Sequence, residues 1–154
     1  FALNQINHTT LVSAILTQLK TVADTAFQVV GPGEQDPDMG ETAAADAVQC
    51  FARLDSVRVV FDKRRTNGDV HSGMLEVGVM VIGTAANSNP LTDISSQLQS
   101  IINVLELAIL RPSSGNGQLN INLQCGEISE QTPSPEMRAA RIVSMKFVGS
   151  AKAE

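Results

Sequence analysis

The sequence contains no tryptophan, no tyrosine and only five phenylalanines among its 154 residues. Sites that bind single-stranded nucleic acid usually stack the bases on aromatic side chains. Sites for sugars and flat cofactors commonly use such platforms too. The scarcity of aromatic residues therefore weighs against all three classes of site.

Cysteine and histidine are also scarce, with two residues of each. Cys50 and Cys125 do not form a C-x-x-C pair, so the sequence gives no support for a zinc site or a redox motif. Two thiols are typical of a protein made in a reducing compartment. A single disulfide between them stays open at this point.

The two histidines do not indicate a catalytic site. A nucleophile needs a base beside it and a third group that orients the base. His71 lies near Asp69 and Ser72, but we expect these residues on a hairpin tip, which cannot hold a buried geometry. We expect His8 to be exposed ahead of the first helix. No phosphate-binding loop is present. The sequence predicts a protein that is not an enzyme and has no cofactor.

An acidic loop spans GPGEQDPDMGE, residues 31–41. Its carboxylates, Glu34, Asp36, Asp38 and Glu41, do not follow the calcium-loop pattern of alternating ligands with a distal glutamate. Pro37 also interrupts the series. We therefore interpret the loop as solvated and predict no metal site.

Long apolar runs are absent, so no segment predicts a membrane span. The net charge is −5, from 16 acidic and 11 basic residues. A protein that binds duplex DNA by itself is usually basic overall, which argues against that role. The 43% of hydrophobic residues is enough for a folded core, and low-hydrophobicity disorder is not indicated.

Hydrophobic periodicity predicts two helices and about four strands. The helices cover residues 9–27 and 91–111. The strands cover about 53–62, 73–83, 119–125 and 138–149. We predict one α+β domain over residues 1–154, with a mostly antiparallel sheet and both main helices packed on one face. Residues 31–50 form a flexible acidic loop or arm, and residues 62–73 form the tip of a hairpin.

The hairpin tip collects positive charge in an acidic chain. Lys63, Arg64 and Arg65 are consecutive, and Arg58 precedes them on the same strand. One interpretation is a solvated tip whose charges protect the sheet edge from aggregation. The other is a contact with an acidic partner or a polyanion, for which a docking contact fits better than DNA binding.

The predicted strands also carry apolar residues on their second face. Val60, Met80 and Ile82 lie opposite the main apolar stripe. One interpretation is a thick core that the 31–50 arm and the last strand cover. The alternative is a contact between subunits, since contiguous exposed apolar surface marks interaction sites.

The order of elements resembles the tail-terminator and tail-completion proteins, which join head to tail in long-tailed bacteriophages. The matching features are a first helix, a long loop, a hairpin, a second helix and a C-terminal pair of strands. In this chain the hairpin reads VRVVFDKRR and GMLEVGVMVIG, the helix ISSQLQSIINVLELAIL, and the end RAARIVSMKFVG. The resemblance is one of layout and covers nearly the whole chain.

The resemblance implies a structural virion protein that assembles in the host cytoplasm. Such proteins form rings, commonly of six subunits, at the head-proximal end of the tail tube. The ring ends tube growth and docks to the head connector, and genome DNA passes through its channel without being read. Val60, Met80 and Ile82 then become subunit contacts, and the basic tip contacts a neighbouring ring or the channel.

Two other classes of function are open at the level of sequence. One is another virion protein: a neck adaptor, a tube subunit or a decoration protein. The other is a small cytosolic ligand-binding domain, although the convergent polar residues that it needs are missing from the sequence.

Overall fold

The computed structural model describes residues 8–23, 27–35, 50–64, 71–84, 90–106, 109–113, 117–131 and 139–153. These residues contain two helices and six strands. Their order along the chain is α1 (His8–Lys20), β1 (Phe27–Val30), β2 (Cys50–Arg64), β3 (His71–Thr84), α2 (Pro90–Leu105), β4 (Ile109–Ser113), β5 (Gly117–Gln131) and β6 (Ala139–Ala153).

The six strands form one sheet in the order β1-β2-β3-β6-β5-β4. β1 pairs parallel to β2, and every other neighbouring pair is antiparallel. Four long strands make the centre, and a short strand of four or five residues lies at each edge. The α+β class, the mostly antiparallel sheet and the two helices are confirmed, while β1 and β4 are additional short strands.

Helix α1 forms because its apolar residues recur on one side. Leu11, Ala14, Ile15 and Leu19 are buried, at the spacing that places side chains on one helical face. Lys20 lies in the last turn, where a cation interacts favourably with the helix dipole. The helix ends seven residues before the predicted end at residue 27, and Phe27 instead begins β1.

Helix α2 begins at Pro90, because proline suits the first helical position, whose N–H has no partner in the helix. Ile101 and Leu105 are buried. The predicted extension to Arg111 is wrong, since β4 begins at Ile109. Pro112 disfavours helical backbone at the residue before it, and pairing of Ile109 with Ile121 overrides the helical periodicity.

Both helices pack on the same face of the sheet, and the main core lies between the two layers. The sheet contributes the inward side of each long strand. Phe147, Val77 and Ile121 are fully buried there. The alternation predicted for β3, β5 and β6 is confirmed at the buried residues, which are Leu75, Val77, Val79, Val81, Ile121, Leu123, Val143, Met145 and Phe147.

Bulges adjust which residues of β2 face the core. The register with β3 shifts between Leu54 and Ser56 and again between Phe61 and Lys63. An extra residue in one strand changes the alternation of the residues that follow. The first shift allows Leu54 and Val57 both to pack against the main core, although they are three residues apart.

The hairpin between β2 and β3 is longer than the sequence predicts. Its pairing continues to Arg64 opposite His71, so both ends of the predicted 62–73 loop are strand. Residues 65–70, including Arg65, lie outside the described residues.

The predicted 31–50 arm is described only in part. Residues 31–35 are described, and Cys50 already belongs to β2. Residues 36–49 lie outside the described residues.

Candidate interaction surface of the sheet

The sheet face opposite the helices, here called the open face, is the candidate functional surface. The residues on it alternate with those of the main core along each strand. Across β2, β3 and β6 they form successive rows, for example Arg58, Glu76 and Val148 in one row. The open face has three parts, which differ in polarity and in burial.

The first part is apolar and lies where β1 pairs with β2. Val30, Phe51, Ile82 and Ile142 form a second buried cluster, separate from the main core. Met80 is half-buried and packs against this cluster. Phe51, Ile82 and Ile142 are direct neighbours across three strands. This end of the open face is therefore buried within the subunit itself.

The middle part is charged. The Glu76 carboxylate accepts a hydrogen bond from Nη1 of Arg58 at 3.1 Å, and Nζ of Lys146 lies 3.4 Å from its other oxygen. These two cations lower the pKa of Glu76, the Arg58 hydrogen bond most of all. The pairs are exposed, so their contribution to stability is small.

The charged part lines a shallow depression with a volume of about 320 Å³. Its walls include Glu127 and three hydroxyl groups, from Ser56, Ser129 and Ser144. Glu76 pairs with both cations of the depression, Arg58 and Lys146, across the strands. The depression thus offers hydrogen-bonding groups at a surface rather than an enclosed site for a reaction.

The third part lies toward the hairpin tip and is apolar and exposed. Val60 is 47% exposed, Met74 63% and Val148 40%. Val60 lies directly opposite Met74 on the neighbouring strand, and Val148 is the diagonal neighbour of Met74 on β6. Side chains at these positions are within reach of one another. Val60, Met74 and Val148 are here called the tip patch.

The residues predicted to form the subunit interface belong to different parts of this face. Val60 lies in the tip patch, whereas Ile82 is only 7% exposed and belongs to the second buried cluster. Met80 packs beside Ile82. The interface stays a prediction, and Val60 is the residue of the three with most surface to bury in a contact.

The basic residues of the tip are also separated by the structure. Arg58 is paired with Glu76 on the open face. Lys63 and Arg64 are strand residues, opposite Ser72 and His71. Arg65 lies outside the described residues. The contact of this group with a partner or a channel stays a prediction.

The structure places the two histidines on different elements. Nε2 of His8 donates to the carbonyl oxygen of Val57 at 2.8 Å, and His71 is the first residue of β3. Within the described part of the chain, no three His, Cys, Asp or Glu side chains are placed to hold a metal ion.

Cys50 and Cys125 do not form a disulfide. Cys50 is buried in the main core. Cys125 is half-buried at the edge of that core, and burial raises the pKa of its thiol. Neither helix in the described ranges has the length and apolar character that a membrane crossing needs.

Sequence reasoning missed two members of the tip patch. Neither Met74 nor Val148 is among the predicted contact residues, although each lies one residue from a core position on its strand. Strict alternation along β3 and β6 could have identified them. The hydrogen bond from the backbone N–H of Cys125 to Glu106 could not have been found in this way, because it depends on where α2 ends.

Comparison with known proteins finds no matching family model and no similar curated protein.

Proposed function

We propose that the chain is a structural subunit of a phage virion, without catalytic activity. It forms a ring, of six subunits in this proposal, at the head-proximal end of a tail. The ring ends growth of the tail tube and docks to the head connector. Two lines support this: the resemblance in the layout of the elements, and the exposed tip patch on the open face.

The tip patch is the observation that carries the proposal. Exposed contiguous apolar surface on a protein marks sites of interaction. Val60, Met74 and Val148 are contiguous across three strands and remain exposed in the subunit, next to a mixed-charge surface. An apolar centre beside polar and charged groups is the usual anatomy of a protein–protein interface. We therefore assign the tip patch to contact with another virion subunit.

Lys63, Arg64 and Arg65 take a second role in this proposal. Lys63 and Arg64 lie at the end of the described hairpin, away from the second buried cluster, and Arg65 follows them in the sequence. In a ring they contact the neighbouring connector or tube protein, or face the channel through which DNA passes. Attraction of a few cations to phosphate is sequence-independent and weakens with salt, which suits passage rather than recognition.

Electron microscopy of the purified protein at high concentration tests the ring directly. We expect class averages of closed rings with a central channel, located in virions at the neck of the tail. Small particles without a channel at every concentration would contradict the proposal. They would favour a decoration protein or a small ligand-binding domain, neither of which closes into a ring by itself.

The role of the basic tip has its own test. We expect a variant with Lys63, Arg64 and Arg65 replaced by serine to fold but to join heads to tails less efficiently. The measurement is the yield of complete particles from separated heads and tails. If joining were undiminished, these cations would make no such contact and would simply form a solvated hairpin tip.

A further inference from the structure

Two long strands extend well past their outer neighbours. On the side of β2 away from β3, the pairing with β1 ends at Arg53, and β2 continues to Arg64. On the side of β5 away from β6, the pairing with β4 ends at Ile121, and β5 continues to Gln131. Within the described residues, segments 54–64 and 122–131 are therefore uncovered edges of the sheet.

Each uncovered edge is contacted by one side chain from a helix end. The backbone N–H of Cys125 donates to Oε1 of Glu106 at 3.0 Å, and Glu106 directly follows α2. On the other edge, His8, the first residue of α1, donates to the carbonyl oxygen of Val57 at 2.8 Å. Backbone groups at an edge need partners, and here helix-end side chains supply two of them.

The contact at Cys125 shows that this edge has hydrogen-bonding capacity outside the sheet. The N–H of Cys125 finds an acceptor in Glu106, a residue that is not part of the sheet. Exposed edges of this kind are templates for pairing with another chain. The bulges in β2 and β5 and the two side-chain contacts restrain such pairing in the free subunit.

The strand directions make the two edges complementary. β2 and β5 run antiparallel within the sheet, because three antiparallel pairings separate them. A second copy placed alongside in the same orientation thus presents its β5 antiparallel to β2. The covered part of each strand is its N-terminal part, so β1 and β4 lie at opposite ends of the joint and do not obstruct it.

The charges of the two edges are opposite in sign. Segment 54–64 carries three cations (Arg58, Lys63, Arg64) and two carboxylates (Asp55, Asp62), for a net +1. Segment 122–131 carries Glu127 and Glu130 and no cation, for a net −2. Pairing unlike edges is therefore favoured over pairing β5 with β5, since complementary charge steers the choice of partner.

We propose that segment 122–131 of one copy pairs as an antiparallel strand with segment 54–64 of the next copy, and that Glu106 gives up its contact with Cys125 as the strands pair. The joint is head-to-tail, and head-to-tail contacts close into rings when the rotation between copies allows it. The inference rests on the proposed function only in expecting copies of the chain to associate.

Cysteine cross-linking tests the joint. Val59 is at the midpoint of one segment, and Cys125 lies within two residues of the midpoint of the other. Both side chains pack at the margin of the main core, so they lie on the same side of the sheet. Adjacent strands are about 4.8 Å apart, within the Cα separation of about 4.4–6.8 Å that a disulfide needs.

The experiment oxidises the full-length Val59→Cys variant at alkaline pH, because the raised pKa of Cys125 disfavours its thiolate at lower pH. We expect a ladder of disulfide-linked dimers, trimers and larger species on a non-reducing gel. The matched control is Val60→Cys, the neighbouring residue on the open face, which should give no ladder. Cys50 is 3% exposed and should not take part.

Three results would overturn the proposal. The first is no ladder in Val59→Cys, and the second is an equal ladder in Val60→Cys. The third is a dimer that persists when Cys125→Ser is added, which would indicate β2 pairing with itself. A joint with β1 or β4 between the long strands also gives no ladder, since two strand spacings, about 9.5 Å, separate the cysteines. Rings seen by microscopy without a ladder would refute this joint and leave the proposed function standing.

Discussion

Phe147 and Val148 are consecutive residues of β6, yet they lie in opposite environments. Phe147 is fully buried beneath the helices, and Val148 is 40% exposed on the open face. The difference arises because successive side chains of a strand point to opposite faces of the sheet, and both helices pack on the same face. Equal hydrophobicity along a strand therefore does not mean equal contribution to the core.

The two ends of the open face also differ from each other in burial. Ile82 and Val60 both lie on it, but Ile82 packs in the second buried cluster and Val60 belongs to the exposed tip patch. The apolar residues of one end stabilise the subunit, and those of the other end are available to a partner. The proposed function depends on this division.

The largest expected effect is on the helix-covered face. Replacing Phe147 with alanine should lower the free energy of unfolding by about 3–5 kcal/mol, because it removes a buried ring and leaves a cavity. The matched variant Val148→Ala should change it by about 0.5 kcal/mol or less, as exposed substitutions usually do. Urea denaturation of both variants measures the difference. Similar losses in the two would contradict the assignment of the two faces.

A smaller effect should separate the two ends of the open face. Ile82→Val removes one methylene from the second buried cluster and should cost about 0.5–1.5 kcal/mol of unfolding free energy. Val60→Ala removes more carbon from an exposed position and should cost less than Ile82→Val. Thermal or urea unfolding of the monomeric protein checks the order. The reverse order would mean that the tip patch is already buried in the subunit.

The smallest expected effect concerns Glu76. Its folded pKa lies below the ordinary value, mainly because of the Arg58 hydrogen bond. Because the pKa of Glu76 is lower in the folded than in the unfolded protein, the ionised carboxylate stabilises the fold at pH values above the unfolded pKa of about 4.3. This stabilisation is lost as the pH falls through the folded pKa. Glu76→Gln should therefore weaken the loss of stability on acidification, compared with the wild type. If the variant and the wild type lost stability equally on acidification, Glu76 would not contribute to the pH dependence of stability.

The fold class and the inward faces of the long strands could be predicted from the sequence. Val143, Met145 and Phe147 alternate with polar or smaller residues, and the helices show clear helical spacing. Burial depends on these local periodicities, which the sequence displays. The same reasoning identified Val60 as lying on the second face of β2.

The short edge strands could not be predicted from local pattern. Phe27 and Ile109 each continue an apolar periodicity that fits the preceding helix. Both residues instead form strands because a distant strand is available for pairing. Phe27 pairs with Cys50, and Ile109 pairs with Ile121. Whether Ile82 is buried also depends on packing across strands rather than on alternation, so the division of the open face appears only in three dimensions.

Sedimentation velocity of the wild type and Met74→Asp over a wide range of concentration tests the role of the tip patch most directly. We expect the wild type to associate into a large species, and Met74→Asp to associate far more weakly with unchanged thermal stability, because a charge buried in an apolar contact is costly. Ser13→Asp, which adds the same charge to the exposed side of α1, should associate like the wild type. A wild type that is monomeric at every concentration, or a Met74→Asp variant that associates as the wild type does, would contradict the account.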